Sequence, residues 1–349
     1  MSRVWEIPVH DSTRVRDARL AAREACDDSG LASSRTAAAE LVATELATNL
    51  LKHAGGGHMV VNLVDPPAGG PGASVQLYAL DHGPGIPDVD AAQRDGYSTA
   101  DGSLGAGLGS CRRSANAFQL YSRPGRGTVA AARIDPEPRK RGAAPAPLPA
   151  GGITVSLGEA GQCGDAWAWV RAGRLLTLLL ADGLGHGPKA AHASATAVEE
   201  LRRAGHLPPA DILRRLHTAL RPTRGAAVSV AQVDTERAEL SFAGVGNVAA
   251  RVRGEKAWTS LVSHPGIVGA YFPARVPVRR LPWRPDSLLV LHSDGLPSRW
   301  TPPEDPALLA RDPSVVAAAI LRDAGSPARP ARDDTSVAVL APDRGTSTP

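Results

Sequence analysis

Short apolar runs at 4–9, 59–63, 74–80, 118–122 and 128–134 have the length and β-branched content of strands. Between them, 13–26 and 36–53 carry apolar residues at helical spacing and are rich in alanine, with Ser33 and Ser34 available to cap the second helix. The alternation then stops and resumes. Further on, 153–157, 166–170, 175–180, 226–233, 239–243, 248–252 and 287–291 read as strands, and 188–203, 210–220 and 306–323 as helices. No internal repeat relates the two halves.

The interruption is the tract at 142–152, made of Gly, Ala, Pro and one Leu, which has no apolar periodicity and reads as a semi-extended linker. Residues 1–135 and 153–341 are therefore expected to be separate domains, with 136–152 as linker and 342–349 as a disordered tail. A length of 349 residues, about twice the usual domain size, agrees with two domains. Hydrophobic residues make up 43% but aromatics only 4%, so the cores must be built mainly from Ala, Val and Leu. The fold class expected is α+β or α/β.

Three widely spaced cysteines, Cys26, Cys111 and Cys163, form neither a disulfide framework nor a CxxC metal knuckle, and a reducing compartment fits. The longest strongly apolar run, 175–181, is too short to cross a bilayer, and the first residues lack a signal peptide's apolar core. A cytoplasmic protein with no membrane partner is expected. Net charge is +4, with 13 Lys/Arg against 15 Asp/Glu up to residue 135 and 26 against 20 after it. That excess is dispersed, and its one tight run, Arg139-Lys140-Arg141, lies beside the linker, so nucleic acid is not an expected partner.

Candidate chemistry in the first half begins on the helix at 36–53. Glu45 and Asn49, four apart, share a face distinct from that of Leu46 and Leu50. A carboxylate there can take a proton from an attacking hydroxyl, and a carboxamide oxygen can ligate Mg²⁺, although such a pair alone is equally a solvated i,i+4 contact. After the strand at 74–80 comes Asp81-His82-Gly83-Pro84-Gly85, in which glycines let backbone approach a flat ligand while the carboxylate accepts from an exocyclic amine. An ordinary Asp/Gly turn is the bland alternative. Gly105, Gly107 and Gly109 then form a glycine-rich loop opening a helix, an arrangement that receives phosphates but matches neither the P-loop nor the dinucleotide fingerprint.

The ordered set Glu-xxx-Asn, Asp-x-Gly-x-Gly and Gly-x-Gly-x-Gly resembles the N, G1 and G2 boxes of the Bergerat-fold (GHKL) ATPases. With Asp95–Thr99 and the segment at 124–128, residues 5–134 are similar to the RsbT branch of anti-sigma-type serine/threonine kinases. The resemblance implies an α/β sandwich in which Asp81 holds the adenine amine, with Gly83 and Gly85 in the same box. It gives Asn49 the Mg²⁺, Glu45 the role of catalytic base, Gly105, Gly107 and Gly109 the phosphates, and places Thr128 near the adenine. No phospho-accepting histidine box precedes the first motif, so transfer to a protein Ser or Thr is favoured over a histidine autokinase.

In the second half, aspartates stand where strands end: Asp165, Asp182 before Gly183, Asp294 before Gly295, and the pair Asp333-Asp334. Any one of them reads as a turn or cap. Their repetition suggests a convergent carboxylate set, whose mutual repulsion two Mg²⁺ or Mn²⁺ ions would relieve, and the lack of paired His spacing argues against zinc. The motifs Cys163-Gly164-Asp165, the run at 181–191, Gly244–Asn247, Ser293-Asp294-Gly295 and Asp333-Asp334-Thr335 resemble the SpoIIE/RsbX group of PPM-type protein phosphatases over residues 153–341. The resemblance implies an α-β-β-α sandwich. Asp182 and the Gly183 carbonyl would bridge two metals, Asp294 and Asp333 would complete the shell, with Asp334 as the alternative to Asp333, and Asp165 would sit close by. His186 is open between a proton donor and a loop contact.

Together the resemblances imply a bifunctional regulator of a bacterial partner-switching pathway, whose kinase and phosphatase act in opposite directions on STAS-domain or stressosome-type proteins. Two other readings stand: a phosphatase whose first half is a non-catalytic nucleotide sensor or partner-binding module, and a scaffold of two inactive domains. The completeness of both acidic sets argues against the scaffold.

Overall fold

A computed structural model describes residues 3–65, 72–92, 107–140, 142, 145, 147–157, 161–255, 257–297, 299–325 and 333–342. The first half holds β1 (Val4–Val9), α1 (Ser12–Asp28), α2 (Ser33–Asn49), β2 (Gly57–Val64), β3 (Ser74–Leu80), α3 (Val89–Ala92), α4 (Gly107–Ser114), β4 (Ala117–Arg123) and β5 (Gly127–Ile134). The second holds β6 (Ala150–Val155), β7 (Asp165–Ala172), β8 (Leu175–Gly183), α5 (Pro188–Ala204), α6 (Pro209–Leu220), β9 (Ala226–Asp234), β10 (Glu239–Val245), β11 (Ala249–Gly254) and β12 (Ala257–Val262). It ends with β13 (Arg279–Pro282), β14 (Leu288–His292), α7 (Pro306–Leu309), α8 (Pro313–Ala324) and β15 (Thr335–Leu340).

The strands form three antiparallel sheets, ordered β1-β2-β3-β5-β4, β13-β10-β9-β8-β7 and β12-β11-β14-β15-β6. Helices α1, α2 and α4 pack on one face of the first sheet through a core made largely of Ala, Val and Leu. The second and third sheets face each other across an apolar layer that includes Leu178, Leu180, Phe242, Leu289 and Leu340, with α5 and α6 outside the second. Thus the second half is an α-β-β-α sandwich whose outer helix on the third sheet is α8.

Helix α8 has apolar or small residues around almost its whole circumference, and nine of its residues, from Pro313 to Ile320 and Arg322, are buried. A helix apolar on all sides needs cover on all sides. One side lies on β6 and β15, and the opposite side meets the free face of the first sheet at Val60, Tyr78, Leu80, Val129 and Ala131. The two halves therefore share one apolar layer.

Polar contacts complete that junction. β6 is an edge strand, and an uncovered edge leaves backbone groups without partners. Asn62 of β2 accepts from the Thr154 amide at 2.9 Å and donates to the Thr154 carbonyl at 2.9 Å. The Tyr78 hydroxyl donates to the Gly152 carbonyl at 2.6 Å.

Several local expectations are corrected. The helix expected at 306–323 is two helices, because Asp305 and Asp312 each cap a new start and Pro306 and Pro313 occupy first turns, where a missing N–H costs nothing. Ala32, not Ser33 or Ser34, occupies the cap of α2, without a side-chain bond. The helix expected to run to residue 53 ends as α at Asn49, passes into one π turn over Leu50–Ala54, and stops at Gly55 with φ +73°. β6 begins at Ala150, and β12, β13 and β15 add strands that the apolar runs had not separated out.

Replacing Asn62 by Leu, close in size, orphans a buried amide and a buried carbonyl of β6. Denaturant unfolding should show a loss of about 1–3 kcal/mol per unpaired group. Unchanged stability would mean that the junction opens readily to water.

Candidate functional sites

The first site lies at the end of β3. Asp81 is only 8% exposed, and its Oδ1 accepts from the amides of Gly83 at 2.8 Å and Thr128 at 3.1 Å. Among the described residues nothing donates to Oδ2, which leaves that oxygen for a ligand. Burial pushes the Asp81 carboxyl above its usual value, and the two amides, Arg322 and His82 oppose that rise. The fit is close: a side-chain carbon on Gly127, at φ +84°, would lie 2.1 Å from the Asp81 carbonyl oxygen. Thr128 is fixed beside Asp81 by a 2.8 Å contact with the Ser122 hydroxyl, which also accepts from the Ile86 amide at 2.8 Å.

Gly83 packs against the π turn, where a side chain would lie 2.7 Å from Ala54 Cα, and Gly85, at φ +75°, passes against the Arg123 carbonyl. The π turn follows Asn49 directly, so one distortion of the i→i−4 ladder both ends α2 at Asn49 and brings Ala54 under Gly83. Glu45 and Asn49 are half-buried on α2. Glu45 Oε2 would be 2.5 Å from any side-chain carbon on Gly107, so the carboxylate reaches the first residue of α4. Gly109 is buried in the first turn of that helix. Gly105 and Asp95–Thr99 lie outside the described residues.

The second site is built on the facing ends of β7 and β8, where Asp165 stands directly opposite Asp182. Like charges opposed across a ladder repel. Asp165 is fully buried, and among the described residues neither carboxylate oxygen has a partner in good hydrogen-bond geometry, although the Ser293 and Ser336 hydroxyls lie near enough to oppose the rise of its pKa. Burial, then the Asp182 charge, raises its pKa well above the usual range. Asp182 is raised to about 7 by burial and by the charges of Asp294, Asp333 and Asp334. Four chain segments thus bring acidic groups within mutual influence.

Both glycines that follow aspartates are sterically required. A side chain on Gly183 would lie 2.2 Å from the Ala190 carbonyl oxygen, and one on Gly295 would lie 2.2 Å from that of Asp334. The adjacent aspartates 333 and 334 separate by role. Asp334 Oδ1 accepts from the Ser156 hydroxyl at 3.0 Å and the Leu157 amide at 2.9 Å, and Oδ2 from the Gly164 amide, so it ties β15 to the loops flanking β6 and β7. Asp333 is exposed, and among the described residues its carboxylate takes only the Asp334 amide, at 2.9 Å. His186 is exposed on the loop after β8.

The donor set is oxygen-only and over-charged, which fits hard divalent cations. Among the described residues no three His, Cys, Asp or Glu side chains stand together as a metal-holding group, so the carboxylates are electrostatic neighbours rather than a closed cage. Burial and the nearby aspartates push the Cys163 thiol far up, which keeps it protonated and inert.

Three further residues touch or act on these sites without having been given a role by the sequence. Asn247 donates to Asp294 Oδ2 from the turn after β10. Arg224, exposed, places Nη1 3.0 Å from where a side chain on Gly185 would begin, over the loop that follows Asp182 and β8. Arg322 acts on Asp81 from α8. Asn247 had a signal, since it closes the Gly244–Asn247 motif; the two arginines sit in no pattern.

Comparison with known proteins agrees with this division. The histidine kinase-like ATPase domain model matches residues 9–133, and the Stage II sporulation protein E (SpoIIE) model matches residues 172–342. Serine/threonine-protein kinase RsbT of Bacillus subtilis (strain 168) is 35% identical over 111 residues, 32% of this chain and 80% of RsbT. Phosphoserine phosphatase RsbX of the same organism is 24% identical over 149 residues, 41% of this chain and 73% of RsbX. A crystal structure of RsbX in complex with magnesium aligns with 54% of this chain and 92% of its own, at 21% identity and a TM-score of 0.45. No helix among the described residues is long and apolar enough to cross a membrane. Through its first half the chain belongs to the RsbT family of serine/threonine protein kinases, and it carries on the same polypeptide a phosphatase domain of the SpoIIE type.

Proposed function

We propose that this chain both adds and removes phosphate on Ser or Thr of a protein partner, with ATP as donor in the first half and divalent metal ions in the second. The observation that carries the reading is the buried Asp165 facing the half-buried Asp182, with the charges of Asp294 and Asp333 close enough to raise the Asp182 pKa, an acidic set whose repulsion divalent cations would relieve. The partner proposed is a STAS-domain or stressosome-type protein of a partner-switching pathway.

In the nucleotide half, Asp81 accepts from the adenine amine while the Thr128 and Gly83 amides fix its other oxygen. Glu45, set against the start of α4, takes the proton of the incoming hydroxyl, and Asn49 offers its carboxamide oxygen to Mg²⁺. Backbone amides of the glycine-rich stretch with Gly105, Gly107 and Gly109, at the start of α4, receive the phosphates. In the phosphatase half, Asp182, the Gly183 carbonyl, Asp294 and Asp333 hold the ions. Asp334 is the structural tie of this set. When bound, two such ions lower the pKa of water and polarise the phosphoryl group. Asp165 lies behind Asp182, and Asn247 holds Asp294 in place. His186, exposed on the loop after β8, would give a proton to the leaving oxygen under this reading, the alternative being a loop contact.

A nucleotide-sensing first half without transfer is the second reading, favoured by the apolar layer that joins the nucleotide sheet to α8. Phosphate occupancy of the partner in ATP and Mn²⁺ separates the two. Under the kinase reading, Glu45→Ala lowers the phosphorylation rate by about 10²–10⁴-fold and leaves the partner dephosphorylated, and Asp294→Asn leaves it phosphorylated. If Glu45→Ala changes nothing while Asp294→Asn still raises occupancy, the sensing reading replaces it.

ATP should bind more tightly than GTP, by about 1–3 kcal/mol or more, because the guanine carbonyl would face the Asp81 carboxylate acceptor to acceptor. Equal affinities in calorimetry would remove Asp81 from the base site.

Metal binding should depend on pH in a stated direction. Asp182 holds its proton up to about pH 7, so a metal ion must displace that proton at lower pH. Affinity for Mn²⁺, measured on the whole chain by electron paramagnetic resonance, should fall on acidification below 7, by up to about tenfold per pH unit, and level off above it. Affinity that is flat from pH 6 to 8 would contradict the assignment.

A further inference from the structure

The second sheet ends in β7, which pairs with β8 and, among the described residues, has no strand on its other side. The register tells which of its backbone groups are left over. Asp165 stands opposite Asp182, and the Gly183 amide donates to the Gly164 carbonyl at 3.0 Å. By the alternation of an antiparallel ladder, Ala166, Ala168 and Val170 turn their amides and carbonyls toward β8, whereas Trp167 and Trp169 turn theirs to the free edge. No hydrogen bond among the described residues takes up those four groups.

That edge lines a cleft of about 680 Å³, within the size range of ligand sites. Ala195 and Val198 of α5 flank β7 on one side, and Leu63, Val64 and Ala73 of the first half form the other. Each charged residue lining the cleft is already paired. Arg3 meets Asp28 at 2.9 Å, Arg202 meets Asp65 at 2.7 Å across the two halves, and Glu199 meets Arg203. Edge strands are commonly guarded by charge or proline, as β13 at the far end of the same sheet is by Arg279, Arg280 and Pro282. Trp167-Ala168-Trp169 carries neither guard.

The unpaired donors and acceptors recur at every second residue, about 7 Å apart, the repeat at which another extended chain presents their complements. We propose that the cleft takes an extended, uncharged peptide segment of a protein partner, which adds a strand to β7 between the two halves. Main-chain bonds to Trp167 and Trp169 would hold it. The small and β-branched walls suit Ala, Val, Ile or Thr side chains, and a charged one would find no free counter-charge. A cleft of this volume admits a single strand, whereas the sheet edge of a second folded copy would bring its neighbouring strands with it. The inference goes beyond phosphate transfer and does not depend on it.

The test uses the full chain and an array of acetylated, amidated hexapeptides built from Ala, Val, Ile, Thr, Asp and Lys. Neutral β-branched members should bind, and a central Asp or Lys should weaken them about tenfold or more. On a bound peptide, N-methylation should weaken binding about tenfold or more at alternate amides, those that face β7, and should leave the intervening ones near the parent affinity. Bound peptide should also slow deuterium exchange at the Trp167 and Trp169 amides. Ala195→Trp and Ala73→Trp, which fill the cleft from opposite walls, should each abolish binding. If either variant fails to fold, the other is read alone, and if both do, the exchange and methylation results on the wild type decide. An array without binders, tolerance of methylation at every amide, or binding that leaves exchange at Trp167 and Trp169 unchanged overturns the proposal.

Discussion

Helix α8 needs apolar cover on every side, and no single half of the chain supplies it. The third sheet covers one face, and the first sheet, whose other face is occupied by α1, α2 and α4, covers the opposite one. The edge of β6 is completed in the same way, by Asn62 and Tyr78 reaching across to Thr154 and Gly152. Each half thus finishes the surface that the other leaves open, and the two acidic sites are held in a fixed relation by packing rather than by the linker alone.

The two sites handle buried negative charge differently. At Asp81 a single carboxylate is balanced from inside the protein by two backbone amides and a cation on α8. At Asp165 and Asp182 burial and mutual repulsion outweigh the help that the Ser293 and Ser336 hydroxyls give Asp165, which is why both are pushed upward, and bound cations would relieve that repulsion. Under the proposed function, that contrast would separate a site with an acceptor ready for a neutral base from one with a repulsive set ready for metal.

Much of this was legible in the sequence because strand ends and glycines leave local marks. Asp81, Asp182 and Asp294 stand just after or at the end of apolar runs, and Gly183 and Gly295 occur where close backbone approach tolerates no side chain. What was not legible depends on long-range placement. The break before Pro313 was visible in principle, since Asp312-Pro313 repeats Asp305-Pro306, but the apolar continuity of 306–323 masked it. The division of labour between Asp333 and Asp334 rests on Ser156, Leu157 and Gly164, about 170 residues away. The cover on the outer side of α8 comes from a sheet formed by the first third of the chain, and an alanine-rich helix carries no local mark of which distant segment covers it.

The central claim is that one polypeptide writes and erases the same phosphate. The direct measurement is a mass-spectrometric time course of a STAS-domain partner incubated with the whole chain, Mg²⁺ and Mn²⁺, in which ATP is first supplied and then exhausted by an added ATP-consuming enzyme. Phosphoserine or phosphothreonine should rise to a plateau below full occupancy while ATP lasts, and decay to zero on the same residue once it is gone. Phosphate that never appears, or that persists after ATP is removed with metal present, would contradict the account.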